Sequence, residues 1–201
     1  MRDEEPSLWT LLREDFAAHE RDLSRPGFQA LAVYRMGVAR MGIKSRLIRA
    51  PLSVLYRVLF RTVRNLYGIE VPYTAQVGRR VVLEHQHGIV IHGHSVIGDD
   101  CVLRQGVTLG NRHMHAPLSA PVLGRGVNVG AGAKILGHVH IGDGANIGAN
   151  AVVLSDVPDG GLAVGVPAVV RAPRSALPGA TQTLLGTAEN DAVTIKQKAG
   201  E

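Results

Sequence analysis

A six-residue apolar repeat runs through the middle of this 201-residue chain. Its anchors are Val77, Leu83, Ile91, Ile97, Leu103, Leu109, Leu123, Val129, Ile135, Ile141, Ile147 and Val153, and nine of the eleven steps between them are six residues long. Seven anchors are followed directly by glycine, as in Ile97-Gly98 and Ile141-Gly142. The position four after each anchor is usually small or β-branched: Cys101, Val107, Val127, Ala133, Val139, Ala145, Ala151, Val157. A six-residue period fits neither an amphipathic α-helix nor an alternating strand. It fits a parallel β-helix, in which each hexapeptide forms one short flat side and three sides close a coil. Each anchor then points at the coil axis and stacks on the anchor one coil away, and glycine or asparagine turns the corners.

Two steps break the period. Two extra residues separate Leu83 from Ile91, within Glu84-His85-Gln86-His87-Gly88, and a fourteen-residue step, with the excursion 110–121, separates Leu109 from Leu123. A stacked solenoid takes insertions only as loops thrown outward, and loops on a rigid scaffold are where reactive groups are presented. Both interruptions carry histidine. Residues 7–66 read as helical, starting with Ser7 as an N-cap and an apolar face of Leu8, Leu11, Leu12 and Phe16. They divide the chain into a helical region 1–68 that caps a coil 69–172, followed by 173–201, where the period is lost and a flexible tail is expected.

Glycine is frequent, at 24 residues, and aromatic side chains make up only 4%, as suits a turn-rich core of small aliphatics. Net charge is +5, unevenly spread: residues 35–80 hold ten Lys/Arg against one acid, Glu70, whereas the first 25 residues hold seven acids. Such a block suits an anionic ligand or surface, and Arg57, Arg61 and Arg64 fall on one helical stripe that could face anionic lipid or simply water. No nucleic-acid-binding motif accompanies it, so nucleic acid is not expected as a partner. A single cysteine, Cys101, excludes an intramolecular disulfide and sits at a small core position. The acidic start lacks the features of a signal peptide, and no apolar run reaches 18 residues, so a cytoplasmic protein without a transmembrane segment is expected.

The segments LEHQHGIVIHGHSVIGDDCVLRQGVTLG and VNVGAGAKILGHVHIGDGANIGANAVVLSDVPDGGLAVGVPAVV resemble the hexapeptide-repeat acyltransferases, and within them the serine acetyltransferases. The likeness spans about residues 8–172 and includes the helical GFQALAVYR. It implies a left-handed parallel β-helix that trimerises, as a homotrimer or a dimer of trimers, with acetyl-CoA as donor and no metal. It further implies His85 as the catalytic base, Glu70 as the acid that orients it, and Glu84 and Asp22 as contacts to the acceptor. Gly110, Ala131 and Ala149 would line the pantetheine path, and Lys134 would stand near a phosphate. The chemistry is sound in itself: an acceptor hydroxyl becomes a competent nucleophile when a neutral imidazole takes its proton.

The sequence departs from that family at telling places. Arg21-Asp22 is followed by Leu23 where the family has proline. An Arg-His pair expected late in the long loop is replaced by Ser119 and Ala120, leaving Arg112 with His113 or His115, earlier in the loop, as the candidates for its role. The chain ends in KQKAGE, so the family's complex with a sulfhydrylase is not expected. The remaining histidines admit two readings. His92, His94, His138 and His140 suit solvated corners. Alternate residues of an extended chain share a face, so His85/His87 and His92/His94 could also hold zinc, although no cysteine or carboxylate is spaced to complete a familiar site. Three functions stay open: O-acetylation of serine, O-acetylation of a sugar hydroxyl, or a non-catalytic scaffold. Retention of Glu70, Glu84 and His85 weighs against the last.

Overall fold

The computed structural model describes residues 6–173. Three α-helices come first: α1 (Leu8–Ala18), α2 (Pro26–Ala39) and α3 (Arg46–Tyr67), with a 3₁₀ turn at Arg40–Gly42. Ser7 caps α1 as expected, its hydroxyl accepting from Thr10 N at 3.2 Å. Gly68, left-handed at φ 62, ends α3 and donates to Arg64 O.

From Ile69 onward the chain winds through five coils of a left-handed parallel β-helix. Sheet A stacks β1 (Ile69–Glu70), β4 (Ile89–Ile91), β7 (Thr108–Gly110), β10 (Lys134–Leu136) and β13 (Val152–Val153). Sheet B stacks β2 (Gln76–Val77), β5 (Val96–Ile97), β8 (Val122–Leu123) and β11 (His140–Ile141). Sheet C stacks β3 (Val82–Glu84), β6 (Val102–Arg104), β9 (Asn128–Val129), β12 (Asn146–Ile147) and β14 (Leu162–Val164), closed by antiparallel β15 (Val169–Arg171).

The anchors stack as the repeat demands. Ile91, Leu109, Ile135 and Val153 are successive partners on sheet A, Leu83, Leu103, Val129 and Ile147 on sheet C. All are buried except Val77, at the open first coil, which is half-buried. The small positions also point inward. Cys101 is fully buried, its Sγ 3.1 Å from Gly124 O, and burial pushes its thiol up to about 11. It is a packed core residue.

The helices seal the first coil through buried polar anchors as well as apolar contact. Asp15 and Arg35 form an ion pair at 2.9 Å with both side chains out of solvent, and Arg35 also donates to Val77 O and Gly78 O at 2.8 and 2.5 Å. Tyr34 Oη donates to Ala75 O and accepts from Val77 N. The apolar face expected on α1 is therefore only partly sunk: Leu8 is exposed and Asp15 is the buried residue of that helix. A buried carboxylate is tolerated there because the Arg35 guanidinium pairs with it, while the two carbonyls accept from that same guanidinium. Apart from Pro173, the expected tail lies outside the described residues.

Candidate active site

Each coil turns from sheet C into sheet A at one corner, and the first interruption falls there. His85 and His87 adopt left-handed backbone, at φ 68 and 73, and Gly88 follows at φ 75. Such angles cost a non-glycine residue about 1–3 kcal/mol and persist where neighbours impose them. The neighbours are Tyr67 O, which accepts from His87 N at 2.6 Å, and Gly106 N, which donates to His87 O at 2.9 Å. Below, Gly88, Gly106 and Gly132 form a column so close that a Cβ on Gly106 would lie 3.2 Å from Gly132 Cα. The two inserted residues therefore lift the His85 ring off the coil and leave it exposed.

His85 opens onto a cleft of about 410 Å³ between this corner and the α1–α2 turn. Glu84, Gln86 and Gln105 line it from the coil, and His19, Arg25 and Gly27 from the helices. Gly27 fits against β3 with no room for a side chain, since a Cβ would stand 2.0 Å from Leu83 O. His19 joins the same strand. Its buried ring donates from Nδ1 to Asp15 O at 2.7 Å and accepts at Nε2 from Leu83 N at 3.3 Å. Burial lowers its pKa and keeps it neutral, the state both bonds need. His19 escaped the sequence reading because it lies outside the repeat. Its one signal was its place four residues after Asp15 on a helix, which is also how an exposed histidine looks.

Glu84, beside His85, is not free. Arg104 on the next coil pairs with it at 2.7 Å, and Arg104 is itself steadied by Asn128 Oδ1 at 2.5 Å. Arg104 also went unremarked in the sequence. It stands directly below Glu84 because β3 and β6 pair Glu84 with Arg104, a consequence of the 20-residue first coil. Glu70 stands on the outer face of sheet A just past the corner, in register with Val90. Among the described residues its carboxylate makes no hydrogen bond or ion pair, with His85 or with any other residue. Gly68, two residues before it, touches the corner: a Cβ there would be 3.0 Å from His87 Cα.

Ala131 and Ala149, expected to line the donor path, lie along the same corner. Backbone bonds link Gly106 N to His87 O, Gly132 N to Gln105 O, and Asn150 N to Ala131 O, so His87, Gln105, Ala131 and Ala149 occupy one edge in successive coils. Side chains along that edge shrink to methyls on the lower two rungs. Lys134 leans toward it, its ammonium donating to Gly106 O and, at 3.1 Å, to Thr108 Oγ1.

Gly110, Arg112 and His113 lie elsewhere. Gly110 closes the far end of β7, and the loop 111–120 leaves from the edge between sheets A and B, opposite His85. Arg112 lies over Gly137, whose Cβ would meet Arg112 Cβ at 3.3 Å, and the His113 and His115 rings stack at 5.1 Å. One chain does not bring these residues to His85. Ser119 is half-buried and Ala120 buried, so neither substitutes for the missing pair. Asp22 sits at the rim of the helical turn, accepting from Ser24 N and Oγ at 2.8 and 2.6 Å, bonds that hold its carboxyl below the usual range. His92 and His94 share a corner, with His92 Nδ1 accepting from His94 N, and His140 N donates to Asp156 Oδ1. Among the described residues no group of three or more His, Cys, Asp or Glu side chains is placed to hold a metal.

Residues 120–155 match the family model described as bacterial transferase hexapeptide (six repeats). The serine acetyltransferase of Helicobacter pylori strain J99 is 41% identical over 171 residues, covering 84% of this chain and 96% of that protein. The serine acetyltransferase of Synechococcus elongatus is 39% identical over 145 residues, covering 72% of this chain but 57% of its own longer length. A putative colanic acid biosynthesis acetyltransferase of Escherichia coli is 39% identical over 132 residues, 66% of this chain and 79% of that one. Among solved structures, soybean serine acetyltransferase superposes with a TM-score of 0.70 at 34% identity, covering 83% of this chain and 70% of that one. A serine acetyltransferase in complex with CoA superposes with a TM-score of 0.67 at 32% identity, with the same coverage.

Proposed function

This chain belongs to the serine acetyltransferase family, and from that premise we propose that it transfers the acetyl group of acetyl-CoA to the hydroxyl of L-serine. The observation that carries the reading is the lifted His85 beside Glu84, at the head of an edge that narrows to Ala131 and Ala149. The edge is smooth enough for an extended pantetheine, and its upper end delivers a thioester to the imidazole. The hydroxyl oxygen attacks the thioester carbonyl as His85 takes its proton, the C–S bond breaks, and the imidazolium returns the proton to the CoA sulfur. Glu70, on the adjoining strand, is the carboxylate available to orient and stabilise that imidazolium. Lys134, beside the same edge, is the cation nearest the donor. The coil 69–172 carries this chemistry and the helices of 1–68 wall the acceptor cleft, with Asp22 paired to Arg25, one of its lining residues.

An amino acid brings an ammonium and a carboxylate, and each needs a partner on desolvation. Glu84 serves the ammonium and Arg104, already paired to it, serves the carboxylate. We further propose a homotrimer, alone or as a dimer of trimers. Gly110, Arg112 and His113 stand on one edge of the coil and His85 on another, so a neighbouring copy set edge to edge joins the two halves. Use of acetyl-CoA, a metabolite of the cytoplasm, supports a cytoplasmic location.

One observation favours a second acceptor. The Glu84–Arg104 pair is neutral as it stands, which suits a sugar hydroxyl, and the 39% identity to a putative colanic acid biosynthesis acetyltransferase points the same way. The deciding experiment is CoA release from acetyl-CoA with L-serine and with a panel of hexoses. Release with serine alone, yielding O-acetylserine, is the expected result; hexose turnover without O-acetylserine overturns the serine assignment and leaves the donor and His85 in place.

A further inference from the structure

α3 has three faces, and one lacks a cover. Tyr56 and Val63 are buried toward α2 and the first coil. A second face, at 100° per residue, carries Leu47, Val54, Leu55 and Val58, all exposed, with Leu47 at 89%. Along one border of that apolar face runs a row of exposed arginines: Arg46, Arg57, Arg61 and Arg64. No acidic residue occurs in the helix's 22 residues. At 1.5 Å per residue the element is about 33 Å long, enough to lay the whole row on a flat surface.

Aliphatic side chains held in water beside cations that have no ion-pair partner among the described residues call for a partner that is both apolar and anionic. An anionic bilayer is that partner: the leucines and valines enter the boundary between headgroups and acyl chains while the guanidinium groups meet phosphates. Other occupants fit less well. A second copy paired antiparallel about a two-fold axis sets the two arginine rows on the same side of the seam, with no acid on either helix to neutralise them. Nucleic acid would satisfy the arginines and leave the aliphatics wet. No described helix is long and apolar enough to cross a membrane, so α3 would lie in the surface plane.

We propose that α3 docks this protein on anionic lipid surfaces through its Leu47–Val58 face and its Arg46–Arg64 row. In a parallel trimer the three α3 helices lie at the same end, so one assembly presents three such faces and gains avidity.

The test is co-sedimentation of the full chain with vesicles of phosphatidylcholine alone and of phosphatidylcholine mixed with phosphatidylglycerol. Binding to the mixed vesicles only, weakening as salt rises, is the expected result. Replacing Arg57→Gln, Arg61→Gln and Arg64→Gln should lower affinity on the order of five-fold per arginine. Combining Leu47→Ser, Val54→Ser and Val58→Ser should abolish binding, with helical circular dichroism unchanged for both variants. Failure to pellet with mixed vesicles, equal pelleting with neutral ones, or insensitivity to salt overturns the proposal, and these outcomes on the unaltered chain decide it even where a variant misfolds. A fall in assembly mass for the serine variant, without vesicle binding by the parent, assigns the face to a second copy.

Discussion

Arg104 and His19 are the two side chains on which the behaviour of the cleft turns, and both lie outside the motif that draws attention to it. Arg104 is, among the described residues, the cation paired to the carboxylate next to His85. Arg104→Leu should raise the KM for L-serine by about 10- to 100-fold with a smaller change in kcat, the loss of one charge-assisted contact. Steady-state kinetics with serine varied at saturating acetyl-CoA measures this, and an unchanged KM removes Arg104 from the acceptor site. His19 predicts a pH effect. Its folded pKa is lowered by burial, so below the unfolded value of about 6.5 the unfolded chain takes up a proton that the folded one refuses. The stabilisation is fully present above that value and is lost as pH falls toward the folded pKa. Urea midpoints should therefore drop between pH 7 and pH 5, and less steeply in His19→Gln.

The elements divide sharply in how far the sequence disclosed them. The coil was legible to the residue, because parallel stacking forces equivalent side chains to recur once per three sides; Ile91, Leu109, Ile135 and Val153 could stack in no other register. The corner bulge was legible as a broken period at His85. The course of the loop 111–120 was not, since a stretch without periodicity carries no directional signal, and so Arg112 and His113 could be named but not placed. The α1 face was misjudged for a different reason: Asp15 reads as a solvent-facing charge until Arg35, twenty residues on, is known to meet it in the interior. Asp15→Ala leaves that guanidinium buried and unpaired, and should cost about 3–5 kcal/mol. Chemical denaturation of the variant checks the figure, and a change below about 0.5 kcal/mol, typical of a surface site, would show that the helical cap does not depend on the pair.

At the scale of the whole molecule, His85 and the loop residues Arg112 and His113 stand on two different edges of the coil, and the proposed trimer would join them. The edge-to-edge trimer proposed above predicts that sedimentation equilibrium gives three chains or six; an active monomer contradicts it. The helical cap then serves two surfaces, the acceptor cleft with Gly27 and His19, and the outward face of α3. The central claim remains that His85 is the general base for acetyl transfer, taking the proton of the acceptor hydroxyl. It is tested most directly by timing CoA release from acetyl-CoA and L-serine with the unaltered protein and with His85→Ala, CoA affinity being measured on both. The predicted result is a fall in kcat of about 10²–10⁴ with CoA binding unchanged. A variant that turns over serine at a rate near the parent's would contradict the account.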